Sequence, residues 1–220
     1  MTEWKITVAN KTGEDSASGE GSIVKFALFQ VPSEKDETNT YPCAWVVDKV
    51  AYPGEIHDIT LPNEFELAIV DEVNGSERIT GPFPVSSGKE VYITQKSRDD
   101  PPSHEIKEGK ALDDDTAPMI QVFNNQGNIQ PLTMVLYKKQ KKLIMSDKVV
   151  PGSSVNMSVK QQINIHDAGS TNDINEGDSL KDQGIITSST MFKLLPSTPG
   201  ITIDVHRGPT GQLSFNLSAL

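Results

Sequence analysis

Trp4-Lys5-Ile6-Thr7-Val8-Ala9-Asn10-Lys11-Thr12-Gly13 and Pro118-Met119-Ile120-Gln121-Val122-Phe123-Asn124-Asn125-Gln126-Gly127 share one plan. In each, apolar and polar residues alternate, then asparagine, two polar residues and glycine follow. Alternation with period two places one set of side chains on each face of a strand, and the Asn-to-Gly stretch is turn chemistry. Four further pairs follow in the same order. Phe26-Ala27-Leu28-Phe29-Gln30 matches Met134-Val135-Leu136-Tyr137-Lys138, and Asp48-Lys49-Val50 with Pro53-Gly54 matches Asp147-Lys148-Val149 with Pro151-Gly152. Leu67-Ala68-Ile69-Val70-Asp71 matches Ile163-Asn164-Ile165-His166-Asp167, and Gly88-Lys89-Glu90-Val91-Tyr92-Ile93 matches Gly200-Ile201-Thr202-Ile203. The offsets run from 96 to 114 residues, as insertions and deletions in surface loops produce. Five ordered matches point to an internal duplication.

The expected fold is all-β: two tandem antiparallel β-sandwiches, immunoglobulin-like or jelly-roll-like. The 16 Gly and 14 Pro punctuate nearly every apolar segment, and no helix of three turns is apparent. Thr133 to Lys142 reads as a strand and its hairpin exit. The charged stretch around 109–115 ends in Asp113-Asp114-Asp115 and reads as a linker between an N-terminal sandwich, 1–108, and a C-terminal one, 116–220. The alternative is that each half supplies part of one larger sandwich.

The chain has 220 residues, a mass of 24.0 kDa and a formal net charge of −10. That charge repels a nucleic-acid backbone, so no nucleic-acid partner is expected. No apolar run approaches the roughly 18 residues of a membrane span, so no membrane insertion is expected. The start lacks a basic region followed by an apolar one. The expected location is therefore cytoplasmic, or exported without an N-terminal signal. Cys43 is the single cysteine, which excludes an internal disulfide and fits a small buried side chain.

No catalytic motif is present: no nucleophile elbow, no phosphate-binding glycine loop. The histidines, His57, His104, His166 and His206, lack metal-ligand spacing. His57-Asp58 and His166-Asp167 are neighbours on strands, so their side chains face opposite ways and do not build a dyad. The acidic loop from Asp167 through Asp173 to Asp178 offers oxygen ligands but not the spacing of a calcium loop. The expectation is a protein that is not an enzyme and needs no cofactor or metal.

Two function classes remain. The first is a structural protein that associates with itself. Lys138, Lys139, Lys141 and Lys142 form the cationic cluster of an acidic chain, and the loop with Glu34, Asp36 and Glu37 is its natural complement on another copy. The second is a ligand-binding module for glycan, calcium-assisted or not, with an offensive or defensive role. Trp4, Phe26, Trp45, Phe65 and Phe215 fall on the core face of their strands. Tyr41, Tyr52 and Tyr92 are the aromatics left to stack on a sugar.

Overall fold

Period-two alternation is realised as strands throughout. The structure, a computed structural model, describes residues 4–13, 21–32, 39–61, 64–97, 103–112, 119–125, 130–169, 174–180, 189–194 and 200–218. Three sheets form. The first has four strands, in the order β16 (Leu213–Leu217), β15 (Gly200–Arg207), β1 (Trp4–Asn10), β5 (Ile56–Leu61). The second has seven. Its path is β4 (Ala44–Val50), β2 (Val24–Pro32), β13 (Ser154–Asp167), β10 (Met119–Asn124), β8 (Lys89–Ser97), β9 (Ser103–Ala111), and β14 (Ser189–Lys193) joins at β13. The third has five: β3 (Thr40–Pro42), β12 (Lys141–Val149), β11 (Leu132–Lys138), β6 (Phe65–Val73), β7 (Ser76–Val85). Thr133 to Lys142 is thus a strand, a turn and the start of the next strand.

The expected division into 1–108 and 116–220 is not the division the sheets make. Every sheet combines strands from both sides of that boundary. Gly109 to Ala111, read as the start of a linker, are the last residues of β9; Asp113, Asp114 and Asp115 lie outside the described residues.

The matched segments nonetheless occupy matching positions. β1 pairs antiparallel with β5 and parallel with β15; β10 pairs antiparallel with the first part of β13 and parallel with β8. Ile6 lies opposite Ile59 and Ile201, and Ile120 lies opposite Met157 and Lys89. The two asparagines do the same job. Asn10 Nδ2 donates to the Val50 carbonyl at 3.2 Å, and Asn124 Nδ2 to the Val149 carbonyl at 2.8 Å. Their own carbonyls accept from Gly54 N at 2.7 Å and Gly152 N at 2.8 Å. Both glycines have φ near +80°, the left-handed turn conformation that a Cβ disfavours. Each asparagine therefore ties a first strand to a Pro-Gly corner and satisfies buried backbone groups.

The ladders correct one match. Leu28 lies opposite Ile165, and its counterpart Leu136 lies opposite Leu67. Leu67 therefore corresponds to Ile165, two residues beyond the alignment read from sequence. A slip of two leaves every side chain on its own face, so the pattern alone does not reveal it.

Each first strand thus completes its sheet with a strand from the other half. The sheet of β1, β5, β15 and β16 faces β2, β4, the end of β13 and β14. The sheet of β8, β9, β10 and the start of β13 faces β6, β7, β11 and β12. Cross-sheet contacts fix this facing: His57 to Asp48 in the first layer pair, His104 to Asp71 in the second. One hydrophobic cluster runs through all of it, from Ile6, Phe26 and Phe215 to Ile120, Leu67 and Met134. Phe26, Trp45, Phe65 and Phe215 are buried as their alternation required, and Trp4 packs partly buried against the cluster.

The β11–β12 hairpin turns through Lys139 (φ 48°) and Gln140 (φ 65°), both left-handed and neither glycine. At β6–β7 the same kind of turn is made by Asn74-Gly75, the favoured pair. Replacing Lys139-Gln140 by Asn-Gly is expected to stabilise the fold by about 1 kcal/mol, since left-handed backbone costs an ordinary residue about that much. An unchanged or lowered urea midpoint would show that the turn carries no such cost.

Candidate functional site

The lysine hairpin is not the exposed cluster its sequence suggested. Lys138 shares the inward face of β11 with Met134 and Leu136, and it is only 5% exposed. Its Nζ sits 4.6 Å above the Phe65 ring and donates to Gln30 Oε1 at 3.3 Å. Gln30 and Lys138 hold the same place in the two segments aligned from the sequence, and here they touch each other. Burial pulls the Lys138 ammonium down to a pKa of about 8. Lys141 pairs with Glu176 of the same chain at 3.3 Å. Lys139 is exposed and Lys142 half-buried, beside Gly177. Glu34, Asp36 and Glu37 lie outside the described residues.

The three tyrosines differ. Tyr52 is 73% exposed at the Pro-Gly corner after β4. Tyr92 is held on the sheet: it stacks on Phe123 at 4.9 Å, donates to Glu90 at 2.6 Å and covers Gly109, where a Cβ would meet the ring at 2.5 Å. The hydrogen bond to Glu90, aided by burial, raises the Tyr92 pKa. Tyr41 donates from its hydroxyl to Asp147 Oδ2 at 2.8 Å.

His57 and Asp58 turn to different partners, as neighbours on a strand do. Asp58 binds Lys5 and Thr7, while His57 reaches across to Asp48 at 2.9 Å. A buried cluster that spacing did not reveal lies between β6, β7 and β9. Asp71 Oδ2 is 2.8 Å from His104 Nε2, and Asp71 Oδ1 accepts from Arg78 Nε at 3.0 Å. Burial alone would raise the Asp71 pKa, but the Arg78 and His104 hydrogen bonds outweigh it and the carboxyl ends below its ordinary value. Asp71 and His104 are closed to solvent, so the cluster braces two sheets rather than meeting a substrate. Of the acidic loop, Asp167 caps Gly169 N and Asp178 caps Asn175 N, both at 2.8 Å, whereas Asp173 lies outside the described residues. Among the described residues, no group of three or more His, Cys, Asp and Glu is placed to hold a metal ion. Cys43 is fully buried.

Two surface features stand out. The first is a cleft of about 210 Å³ where β12 ends and β13 begins. Asn39, Asp147, Lys148, Ser153 and Ser154 give it polar walls, and Val155 is among its apolar residues. The second is the outer edge of the four-stranded sheet. The strand there, β16, reads Leu213-Ser214-Phe215-Asn216-Leu217. It has neither charge nor proline. The other described edge strands all do: β3 and β7 contain proline, while β4, β5, β9 and β14 carry charged or titratable side chains. Charges and prolines on an edge block strand addition, and β16 lacks that guard.

Comparison with known proteins finds no match for this chain among family models, curated proteins or solved structures.

Proposed function

We propose that this chain is a non-catalytic structural protein, built on a duplicated β-sandwich scaffold, that associates with itself. The observation that carries the reading is the unguarded edge of β16. The occupant it favours is β16 of a second copy. At a net charge of −10, two copies repel wherever their charged faces meet. An uncharged strand pairing antiparallel with itself opposes no like charges, and it satisfies the open backbone groups of both edges. Leu217, 58% exposed at the end of the strand, adds apolar area to the contact.

This contact replaces lysine-to-acid docking as the preferred interface, because Lys138 is buried and Lys141 is paired within the chain. The two differ in salt dependence. Surface ion pairing weakens as salt rises, whereas strand addition does not. The expected result is a species of twice the 24.0 kDa chain mass by light scattering, unchanged at high salt. Ser214→Lys with Asn216→Lys should return it to a monomer that keeps its thermal melt. A native chain that stays monomeric at every concentration, or an oligomer that survives both lysines, would overturn the proposal.

A further inference from the structure

The duplicated architecture supplies an internal comparison for the cleft at β12–β13. Asp48 and Asp147 are matched positions. So are His57 and Val155, which lie opposite Val8 and Val122 of the matched strands. In the first layer pair His57 spans the gap between the two sheets and meets Asp48 at 2.9 Å. In the second the partner is Val155, too short and too apolar to do so. Asp147 is oriented instead by Tyr41, whose hydroxyl donates to it at 2.8 Å. The space spanned by an imidazole in one half is an open cleft of about 210 Å³ in the other, with Asp147 and Val155 both on its wall.

We infer that this cleft is a binding site for a single neutral, hydroxyl-rich ring, of the monosaccharide class. Its chemistry selects against the alternatives. The Asp147 carboxylate disfavours an anion, and one carboxylate is too few for a hard cation. Lys148 also lines the cleft and shares an exposed ion pair with Glu72 at 3.5 Å; its charge offsets that of Asp147, so the site has no excess of either sign to select a charged ligand. What remains is a carboxylate acceptor, the hydroxyls of Ser153 and Ser154, the Asn39 amide and an aliphatic wall. That combination orients hydroxyl groups and lies against the apolar face of a sugar ring. The volume is below the range of drug-sized sites, so it admits one ring rather than a chain. The site is in a different layer pair from β16 and does not depend on self-association.

The test is a titration of the isotope-labelled full chain with glucose, galactose, mannose and N-acetylglucosamine, followed by amide chemical shifts. Saturable shifts at residue 39 and residues 147–155 are expected with at least one sugar. Val155→His restores the residue of the matched position, and it should abolish them. Asp147→Asn, of the same size, should weaken binding by about tenfold, the typical cost of losing a charged acceptor. Peak dispersion shows in the same spectra that each variant is folded. If Val155→His fails to fold, Asp147→Asn decides alone. The inference is overturned if no sugar gives a saturable shift, or if binding is undiminished in the folded variants. Shifts from glycine zwitterion alone would overturn it too.

Discussion

Asp71→Ala is expected to cost about 3–5 kcal/mol, because it strands the His104 imidazole and the Arg78 guanidinium that the carboxylate holds between two sheets. The loss should appear as a lowered urea midpoint with an unchanged slope. Placing Asp71→Leu and His104→Leu together should cost less than Asp71→Ala, since the buried imidazole goes with its partner and Arg78, a quarter exposed, has access to water. The fold contains a precedent: the position that matches His104 in the other layer pair is Leu213, also buried. The pH dependence has a definite sign. Unfolded, the carboxyl titrates near 3.8, and folded it titrates lower. The native chain binds fewer protons in that interval, so the contribution is fully present above about pH 4 and is lost as pH falls through the folded value. Asp71→Asn should lack this acid-side loss. A native stability that is flat below pH 4, or a single substitution that costs nothing, would show that the cluster is not a brace.

The second large effect has the opposite sign. Lys138→Met is expected to stabilise the chain at pH 7. Among the described residues the buried ammonium has the Gln30 hydrogen bond and the Phe65 ring for company, and its pKa falls from 10.5 to about 8. A depression of that size corresponds to about 3 kcal/mol of penalty for the charged form. Loss of the Gln30 contact offsets part of the gain, so about 1–3 kcal/mol should remain. Unfolded, the lysine keeps its proton up to 10.5; folded, it releases it near 8. Native stability should therefore rise with pH between those values, with the full penalty present below pH 8. The advantage of the variant should shrink over the same interval. Taking the difference between the two chains removes the tyrosines, which titrate in both. A gap that stays constant from pH 7 to 10 would show that the ammonium is not desolvated.

Lys138 also shows where sequence reading stopped short. Met134, Leu136 and Lys138 are two apart, so the alternation itself put the lysine on the inward face. The run of lysines around it suggested a solvated cluster and masked that parity. Leu67, Ile69 and Asp71 repeat the case: an acid at an inward position needs a partner. His104, two residues before Ile106 on β9, was an available one. Which inward acid meets which inward base is not a local property, so the brace was legible only as two unexplained residues. The same holds for Val155, unremarkable until it is set opposite Asp147 and compared with His57.

The strands, their faces, the Pro-Gly corners and the order of the matched segments were all legible in the chain's local pattern. These follow from the two-residue repeat of extended backbone and the left-handed tolerance of glycine, both properties of a few consecutive residues. Tertiary structure alone decided that β1 is completed by β15 and β10 by β8, so that each half finishes its sheet in the other. An inward-facing strand looks the same whichever neighbour it pairs with; β8 and β10 are separated only by β9 and the residues after it, whereas β1 and β15 pair across nearly the whole chain, and in both cases packing makes the choice.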